Sequence, residues 1–177
     1  MTKSPPIASV EGAGPVPTLT LFCGLPGSGK TTLAKRLEAA GRGVRICTDD
    51  WQAELGIDHA DTSFHERLQP VLYRHALDLL RHGADVILED GLWLGEERAQ
   101  KFNDARASRA RIELHVFDVP LATLWSRLQR RNEEATLGAY PMTYDDLRWS
   151  WSVFEPPTPE ELSTVDHHTI RRGGFAD

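Results

Sequence analysis

The chain has 177 residues, 40% of them hydrophobic, which fits one compact domain with a single core. No run is long and apolar enough to span a bilayer, and the first residues lack a secretory signal, so we expect a soluble, cytoplasmic protein without a membrane partner. The net charge of −6 disfavours DNA or RNA as a partner, because the field of the whole protein repels phosphate backbones. A local basic groove can act against this overall sign.

The first residues indicate where the folded domain begins, and the positions of the cysteines indicate whether they form a disulfide or a metal site. Residues 1–17 are rich in proline and glycine without hydrophobic periodicity, which predicts a disordered leader before a domain over residues 18–177. Cys23 and Cys47 both fall in predicted strands. Two such thiols are more often small core residues than a disulfide or a metal pair.

A phosphate-binding motif follows the first predicted strand, the apolar run over residues 19–23. Residues 24–31 read Gly-Leu-Pro-Gly-Ser-Gly-Lys-Thr. Glycines let successive backbone N–H groups face phosphate oxygens, Lys30 can neutralise the β- and γ-phosphates, and the Thr31 hydroxyl can bind Mg²⁺. A helix predicted from Thr31 directs its dipole at the same anion. The sequence therefore predicts ATP and Mg²⁺ as cofactors, with nucleotide-binding residues Gly24, Leu25, Pro26, Gly27, Ser28, Gly29, Lys30, Thr31 and Thr32.

After this motif, apolar runs alternate with amphipathic stretches, which is typical of βαβ units in a three-layer α/β domain with a mostly parallel sheet. Further strands are predicted over residues 44–48, 86–88, 112–119 and 164–170. Apolar residues from Leu68 to Leu80 predict a helix that stops at Gly83. Pro70 either places its start near Gln69 or kinks it.

Carboxylates follow two of the predicted strands. Asp49 and Asp50 come after the second strand, and Asp90 ends the third. Ligands of open α/β sheets bind beyond the carboxyl ends of the strands. A kinase needs one carboxylate to accept the proton of the attacking hydroxyl and others to hold Mg²⁺. Asp49 and Asp90 are therefore candidate catalytic and metal-binding residues beside Thr31, while an N-cap for Asp50 and a turn for Asp90 are the structural alternatives.

Three arginines, Arg127, Arg130 and Arg131, share one face of the helix predicted after the fourth strand. The polar stretch over residues 132–141 follows them and suits a mobile lid. Guanidinium groups that close over a γ-phosphate stabilise the charge that spreads over its oxygens during transfer. A solvated surface stripe is the alternative.

Together these residues resemble the P-loop kinase superfamily that includes phage polynucleotide kinase, zeta toxins, and the chloramphenicol and capuramycin phosphotransferases. The resemblance runs from about residue 19 to residue 131. Besides the phosphate loop, it rests on Thr48-Asp49-Asp50-Trp51, on Ile87-Leu88-Glu89-Asp90, and on Val116-Phe117-Asp118-Val119-Pro120 before an arginine-bearing helix. It implies a parallel five-stranded sheet like that of nucleoside monophosphate kinases, with the phosphate-loop strand in the middle.

The resemblance also implies a role for each matching residue. Asp49 would be the general base, Lys30 and Thr31 the ligands of the triphosphate and the metal, and Asp90 a second active-site carboxylate. Arg127 and Arg131 would be the lid arginines. One position departs from the pattern: polynucleotide kinases carry an arginine three positions after the aspartate that matches Asp49, and this chain has Gln52 there.

The motifs do not identify the molecule that accepts the phosphate. Aromatic and histidine side chains suit a sugar, a nucleoside or an aromatic drug; the candidates are Trp51, His59, His65, Trp93, Tyr140, Trp149 and Trp151. We expect an ATP-dependent phosphotransferase that acts on a hydroxyl of a small molecule, either an antibiotic or a nucleoside- or sugar-like metabolite. A polynucleotide 5′-hydroxyl kinase and an ATP-binding protein or ATPase without an acceptor are the alternatives. The acidic charge and Gln52 disfavour the first, and the carboxylates with the arginines disfavour the second.

Overall fold

The computed structural model describes residues 15–134 and 141–173. Within them, all pairings of one five-stranded sheet are parallel. The strands are β1 (Thr18–Cys23), β2 (Val44–Ile46), β3 (Val86–Leu88), β4 (Arg111–Asp118) and β5 (His167–Arg172). Their order is β2-β3-β1-β4-β5, so the prediction that the phosphate-loop strand lies in the middle is confirmed.

Helices cover both faces of this sheet. In the described part of the chain they are α1 (Lys30–Ala39), α2 (Thr48–Glu54), α3 (Thr62–Arg81), α4 (Gly95–Ala107), α5 (Leu121–Glu133), α6 (Tyr144–Val153) and α7 (Pro159–Leu162). Leu19, Leu21 and Cys23 of β1 pack against α3 and α4, while Phe22 packs against α1, α5 and α6. Successive side chains of a strand point to opposite faces, so β1 is buried on both sides. The three-layer α/β prediction is confirmed.

Several boundaries differ from the sequence-based expectations. β2 ends at Ile46 and α2 begins at Thr48, so Asp49 and Asp50 lie in the first turn of a helix, where the helix dipole favours carboxylates. α3 begins at Thr62 because the Asp61 side chain caps it by accepting a hydrogen bond from the Phe64 N–H at 2.9 Å, and the helix continues through Pro70. β5 covers residues 167–172 instead of 164–170.

The remaining expectations concern the termini, the cysteines and the membrane. Residues 1–14, most of the predicted leader, lie outside the described residues, and the leader remains a prediction. Cys23 and Cys47 are both buried and free, which confirms them as core residues, although Cys47 is the N-cap of α2 instead of a strand residue. No helix in residues 15–134 or 141–173 is long and apolar enough to cross a bilayer.

Candidate active site

The phosphate loop joins β1 to α1 and depends on its glycines. Gly27 and Gly29 have φ values of 79° and 98°, which L side chains rarely adopt. A Cβ on Gly24 would lie 2.8 Å from the Cβ of Phe117. Gly29 is the N-cap of α1 and supplies no side-chain cap, so the first N–H groups of this ten-residue helix are available to an anion.

Lys30 lies folded back onto this loop. Its Nζ donates hydrogen bonds to the carbonyl oxygens of Gly24 and Leu25, both at 2.9 Å. Burial lowers the pKa of Lys30 to about 8, against the opposing charges of Glu89, Cys23 and Asp49. Phosphate oxygens would favour the charged form of this ammonium group, so the loop and Lys30 together fit a triphosphate.

Glu89 is the carboxylate that the fold places beside Thr31. The Thr31 hydroxyl donates a hydrogen bond to Glu89 Oε1, and Arg45 Nε donates to Glu89 Oε2 at 2.7 Å. The Glu89 and Arg45 side chains are only 6% and 7% exposed. Glu89 is part of the motif after β3 but had no predicted role, and the alternation of β3 is the signal that could have identified it.

That alternation explains where the two acidic residues after β3 point. Ile87 packs against the α1 face of the sheet, and Leu88 packs against the α3 and α4 face. Continuing the alternation directs Glu89 toward α1 and Asp90 toward α3 and α4. Only one of the two side chains can therefore reach Thr31, and it is Glu89.

Asp90 lies beside Gln69 and Lys101, whereas its predicted metal role would place it beside Thr31. Its Oδ1 accepts a hydrogen bond from Gln69 Nε2 at 3.2 Å, and its Oδ2 is 4.0 Å from Lys101 Nζ. Burial raises the pKa of Asp90 overall, and the charge of Lys101, the Gln69 hydrogen bond and the charge of His65 offset only part of this rise. The structure therefore does not bring Asp90 together with Thr31, and the metal role of Asp90 stays a prediction.

The two adjacent aspartates of α2 differ in their partners. Arg45 NH1 donates to Asp50 Oδ2 at 2.6 Å. Burial raises the pKa of Asp50, but the hydrogen bond and charge of Arg45 outweigh it and lower the pKa overall. Asp49 is the more exposed of the pair, at 65% against 46% for the side chains, and its Oδ1 lies 3.5 Å from His65 Nδ1. Asp49 is thus open to a ligand, while Asp50 is held by Arg45.

The three arginines on α5 differ in how they relate to the phosphate loop. Arg127 donates to the Gly27 carbonyl at 3.5 Å and to the Gly173 carbonyl at 2.6 Å. Burial lowers the pKa of Arg131, and the charge of Asp49 opposes this shift. The charge of Arg131 also contributes to lowering the pKa of Lys30, so Arg131 shares the electrostatic field of Lys30 and Asp49. Arg130 faces solvent at 67% exposure and lies 3.6 Å from Glu134.

A family model described as an AAA domain matches residues 19–157 of this chain. The chain therefore belongs to this AAA-domain family, and its fold is that of P-loop kinases. This agrees with the resemblance inferred from its motifs. A comparison with curated protein sequences finds no match.

Solved structures of kinases and of an RNA repair complex have the same fold. A candidate kinase from Chloroflexus aurantiacus J-10-fl superposes with a TM-score of 0.69 at 19% identity, over 90% of each chain. A chain of the Pnkp1/Rnl/Hen1 RNA repair complex gives 0.63 at 23% identity, over 84% of this chain and 49% of that one. The APS kinase CysC of Mycobacterium tuberculosis, solved with AMPPNP and APS, gives 0.53 at 20% identity, over 89% of this chain and 90% of that one. Identities this low establish the fold alone.

Gln52 stands where polynucleotide kinases of the superfamily carry arginine, and here it has a structural role. The side chain is fully buried, and its Nε2 donates to the carbonyl oxygens of Asp58 at 2.6 Å and Asp61 at 3.3 Å. Its Oε1 lies 3.3 Å from His65 Nδ1, so Gln52 fixes the connection between α2 and α3 through both ends of its amide.

The predicted acceptor aromatics do not form one surface. Trp93 donates through Nε1 to the Gly24 carbonyl at 3.2 Å, and Trp149 packs on it edge-to-face at 6.2 Å between ring centroids. Trp151 lies elsewhere, in an apolar cavity beside β4 and β5. Trp51 is exposed on α2, and Tyr140 is outside the described residues.

A magnesium ion fits the Thr31 end of this site. Among the described residues, no group of three or more His, Cys, Asp or Glu side chains is arranged to hold a metal. Mg²⁺ in phosphoryl-transfer sites commonly uses one or two carboxylates, with substrate phosphates and water completing its six ligands. The Thr31 hydroxyl and the Glu89 carboxylate meet that need.

Proposed function

We propose that this protein transfers the γ-phosphate of ATP to a hydroxyl group of a small molecule, either an antibiotic or a nucleoside- or sugar-like metabolite. The observation that carries the proposal is the position of Asp49. This exposed carboxylate lies in the first turn of α2, directly after β2, at the same edge of the parallel sheet as the phosphate loop that follows β1. We assign the activity to a kinase domain over residues 18–177 of a cytoplasmic protein.

The phosphate side uses the loop and two cations. The N–H groups at the start of α1 bind the phosphate oxygens, and Lys30 leaves its carbonyl partners to contact the β- and γ-phosphates. Thr31 and Glu89 hold Mg²⁺, directly or through water, and Asp49 is the further candidate ligand. When bound, the ion neutralises negative charge on the β- and γ-phosphates.

The acceptor side uses Asp49 as the general base. Its carboxylate accepts the proton of the attacking hydroxyl as the acceptor oxygen forms a bond to the γ-phosphorus. The bond between that phosphorus and the β–γ bridging oxygen breaks, and ADP leaves with the electron pair. Asp50 is less suited to this role because its carboxylate accepts a hydrogen bond from Arg45 at 2.6 Å.

The arginines act at different points of the reaction. Arg131 lies in the field of Lys30 and Asp49, where a guanidinium stabilises charge that develops on the γ-oxygens. Arg127 donates hydrogen bonds to the loop at Gly27 and to Gly173, the residue after β5, which suits it to hold the nucleotide site in shape. Among the fold neighbours, the APS kinase solved with AMPPNP and APS supports both an ATP donor and a small acceptor.

Transfer of labelled phosphate tests this proposal. The protein is incubated with γ-phosphate-labelled ATP and panels of nucleosides, sugars, aminoglycosides and 5′-hydroxyl oligonucleotides. We expect label in a small molecule, and loss of that product in Lys30→Ala and Asp49→Asn. Label found only in inorganic phosphate across all panels would contradict the proposal.

A further inference from the structure

A cavity of about 340 Å³ lies beside the candidate active site, between α3, α4 and the connection from β3 to α4. Its wall is bonded to the phosphate loop: the Gly24 N–H donates to the Gly91 carbonyl at 3.0 Å, and Trp93 Nε1 donates to the Gly24 carbonyl at 3.2 Å. These bonds fix the position of the cavity relative to the phosphate loop.

One face of α3 connects this cavity to the proposed base. His65, Gln69 and Tyr73 follow one another at one-turn spacing and so share a face of the helix. His65 Nδ1 lies 3.5 Å from Asp49 Oδ1, Gln69 donates to Asp90 at 3.2 Å, and Tyr73 lines the cavity. This face of α3 therefore runs from the cavity to the neighbourhood of Asp49, where His65 Nδ1 also lies 3.3 Å from Gln52 Oε1.

The charged pair in the cavity forms no direct hydrogen bond between its two members, although Lys101 Nζ also lies 3.2 Å from the centroid of the Tyr73 ring. Asp90 Oδ2 and Lys101 Nζ are 4.0 Å apart, and their side chains are 10% and 13% exposed. That separation is too long for a direct hydrogen bond, but two bonds of about 2.8 Å that meet at one hydroxyl oxygen span it. A hydroxyl that accepts from Lys101 and donates to Asp90 satisfies both groups.

The other lining residues select for charge and shape. Glu97 adds a second carboxylate to Asp90 against the single cation Lys101, so the lining disfavours an anionic ligand. Gln69 and Gln100 offer further donors and acceptors, while the Trp93 ring offers an apolar surface of the kind that packs against the carbon skeleton of a sugar.

We propose that this cavity binds the acceptor, and that the acceptor is a neutral, polyhydroxylated molecule of the sugar or polyol class. Asp90 and Lys101 are then binding residues: they hold one hydroxyl of the acceptor and thereby position another hydroxyl at Asp49. The phosphorylation of this ligand rests on the proposed function, whereas its binding does not.

Direct binding provides the test. Isothermal titration calorimetry with myo-inositol, ribitol and glucose is compared with gluconate as an anionic probe and kanamycin as a cationic probe. Asp90→Asn and Lys101→Met remove the two charged groups separately, so a folding failure in one leaves the other informative. Asp78→Asn is the matched control, because Asp78 is an exposed α3 carboxylate paired with Arg81 at 2.8 Å. Thermal stabilisation by ATP checks that each variant is folded.

We expect a neutral polyol to bind the wild type and to bind at least about tenfold more weakly to both cavity variants, with no change in Asp78→Asn. No binding by any neutral probe, preference for gluconate or kanamycin, or equal binding by the cavity variants would overturn the proposal. If a polyol binds this way but ATP is only hydrolysed, the cavity assignment stands and the kinase proposal fails. If an acceptor is phosphorylated with the same KM in both variants, the kinase proposal stands and the cavity assignment fails.

Discussion

The hydroxyl of Thr31 donates a hydrogen bond to the carboxylate of Glu89, which joins the start of α1 to the residue after β3. Arg45 holds the other Glu89 oxygen at 2.7 Å, so the carboxylate cannot turn away from the phosphate loop. A hydroxyl and a carboxylate in this arrangement are the groups that hold Mg²⁺ in phosphoryl transfer. We therefore expect Glu89, more than Asp90, to determine the dependence of the reaction on Mg²⁺.

Glu89→Gln tests this assignment. The substitution keeps the shape of the side chain but removes its charge, so we expect the Mg²⁺ concentration for half-maximal turnover to rise about 10- to 100-fold. Asp90→Asn is the matched comparison, since Asp90 is the neighbouring acid on the opposite face of the sheet. Mg²⁺ titrations of both variants decide the question: a change confined to Asp90→Asn would return the metal role to Asp90.

Asp49→Asn separates the base from its neighbour. The amide cannot accept a proton, so we expect kcat to fall about a hundredfold or more while the Kd for ATP stays near that of the wild type. Asp50→Asn should retain most turnover and lower Tm instead, because it leaves Arg45 with a weaker partner. Steady-state kinetics and thermal denaturation report the two effects. An inactive Asp50→Asn beside an active Asp49→Asn would reverse the assignment.

Alanine variants of the α5 arginines separate transition-state stabilisation from loop support. Arg131→Ala should reduce kcat by about two orders of magnitude with a smaller change in ATP affinity, because its contact strengthens as charge develops on the γ-oxygens. Arg127→Ala should raise the Kd for ATP as well, since Arg127 bonds the loop at Gly27. Arg130→Ala is the control, because Arg130 faces solvent. Wild-type kcat in Arg131→Ala would return Arg131 to a surface role.

The pH dependence of ATP binding follows from Lys30. Burial lowers its pKa to about 8 in the free protein, whereas the phosphates of a bound nucleotide raise it. Above pH 8 the free protein must take up a proton to bind ATP, so affinity should fall, by about tenfold at pH 9 relative to pH 7. Calorimetry in buffers of different ionisation enthalpy measures that uptake. Lys30→Arg keeps its charge throughout this range, and an equally steep decline in this variant would exclude Lys30 as the titrating group.

The sequence predicted the parts of the fold that have a local signal. The phosphate loop, the strand before it and the helix after it have a fixed spacing, β3 is an apolar run, and β4 alternates apolar with polar residues. α4 was not predicted, because it has no apolar stripe. Its buried residues are only Arg98, Phe102 and Ala105. The end of β2 was misplaced because Cys47 and Thr48 are buried like strand residues although they begin α2.

The candidate site was predictable where its residues lie in the motif and less so where distant elements meet. The alternation of β3 decides between Glu89 and Asp90, but it identifies the faces only after the packing of Ile87 and Leu88 is known. The Asp90–Lys101 pair joins the connection after β3 to α4, which the sequence did not reveal as a helix. The role of Gln52 was also hidden, because its partners are backbone carbonyls on the connection that follows α2.

A competition between small molecules and an oligonucleotide for the same labelled ATP tests whether the acceptor is a small molecule. One reaction contains γ-phosphate-labelled ATP, an equimolar set of small hydroxylated molecules and a 5′-hydroxyl oligonucleotide, and the label in each product is measured from low to physiological salt. We predict that a small molecule carries most of the label and that its rate depends little on salt, because no run of backbone phosphates must be neutralised. Label that collects mainly on the oligonucleotide, at a rate that falls steeply with salt, would contradict it.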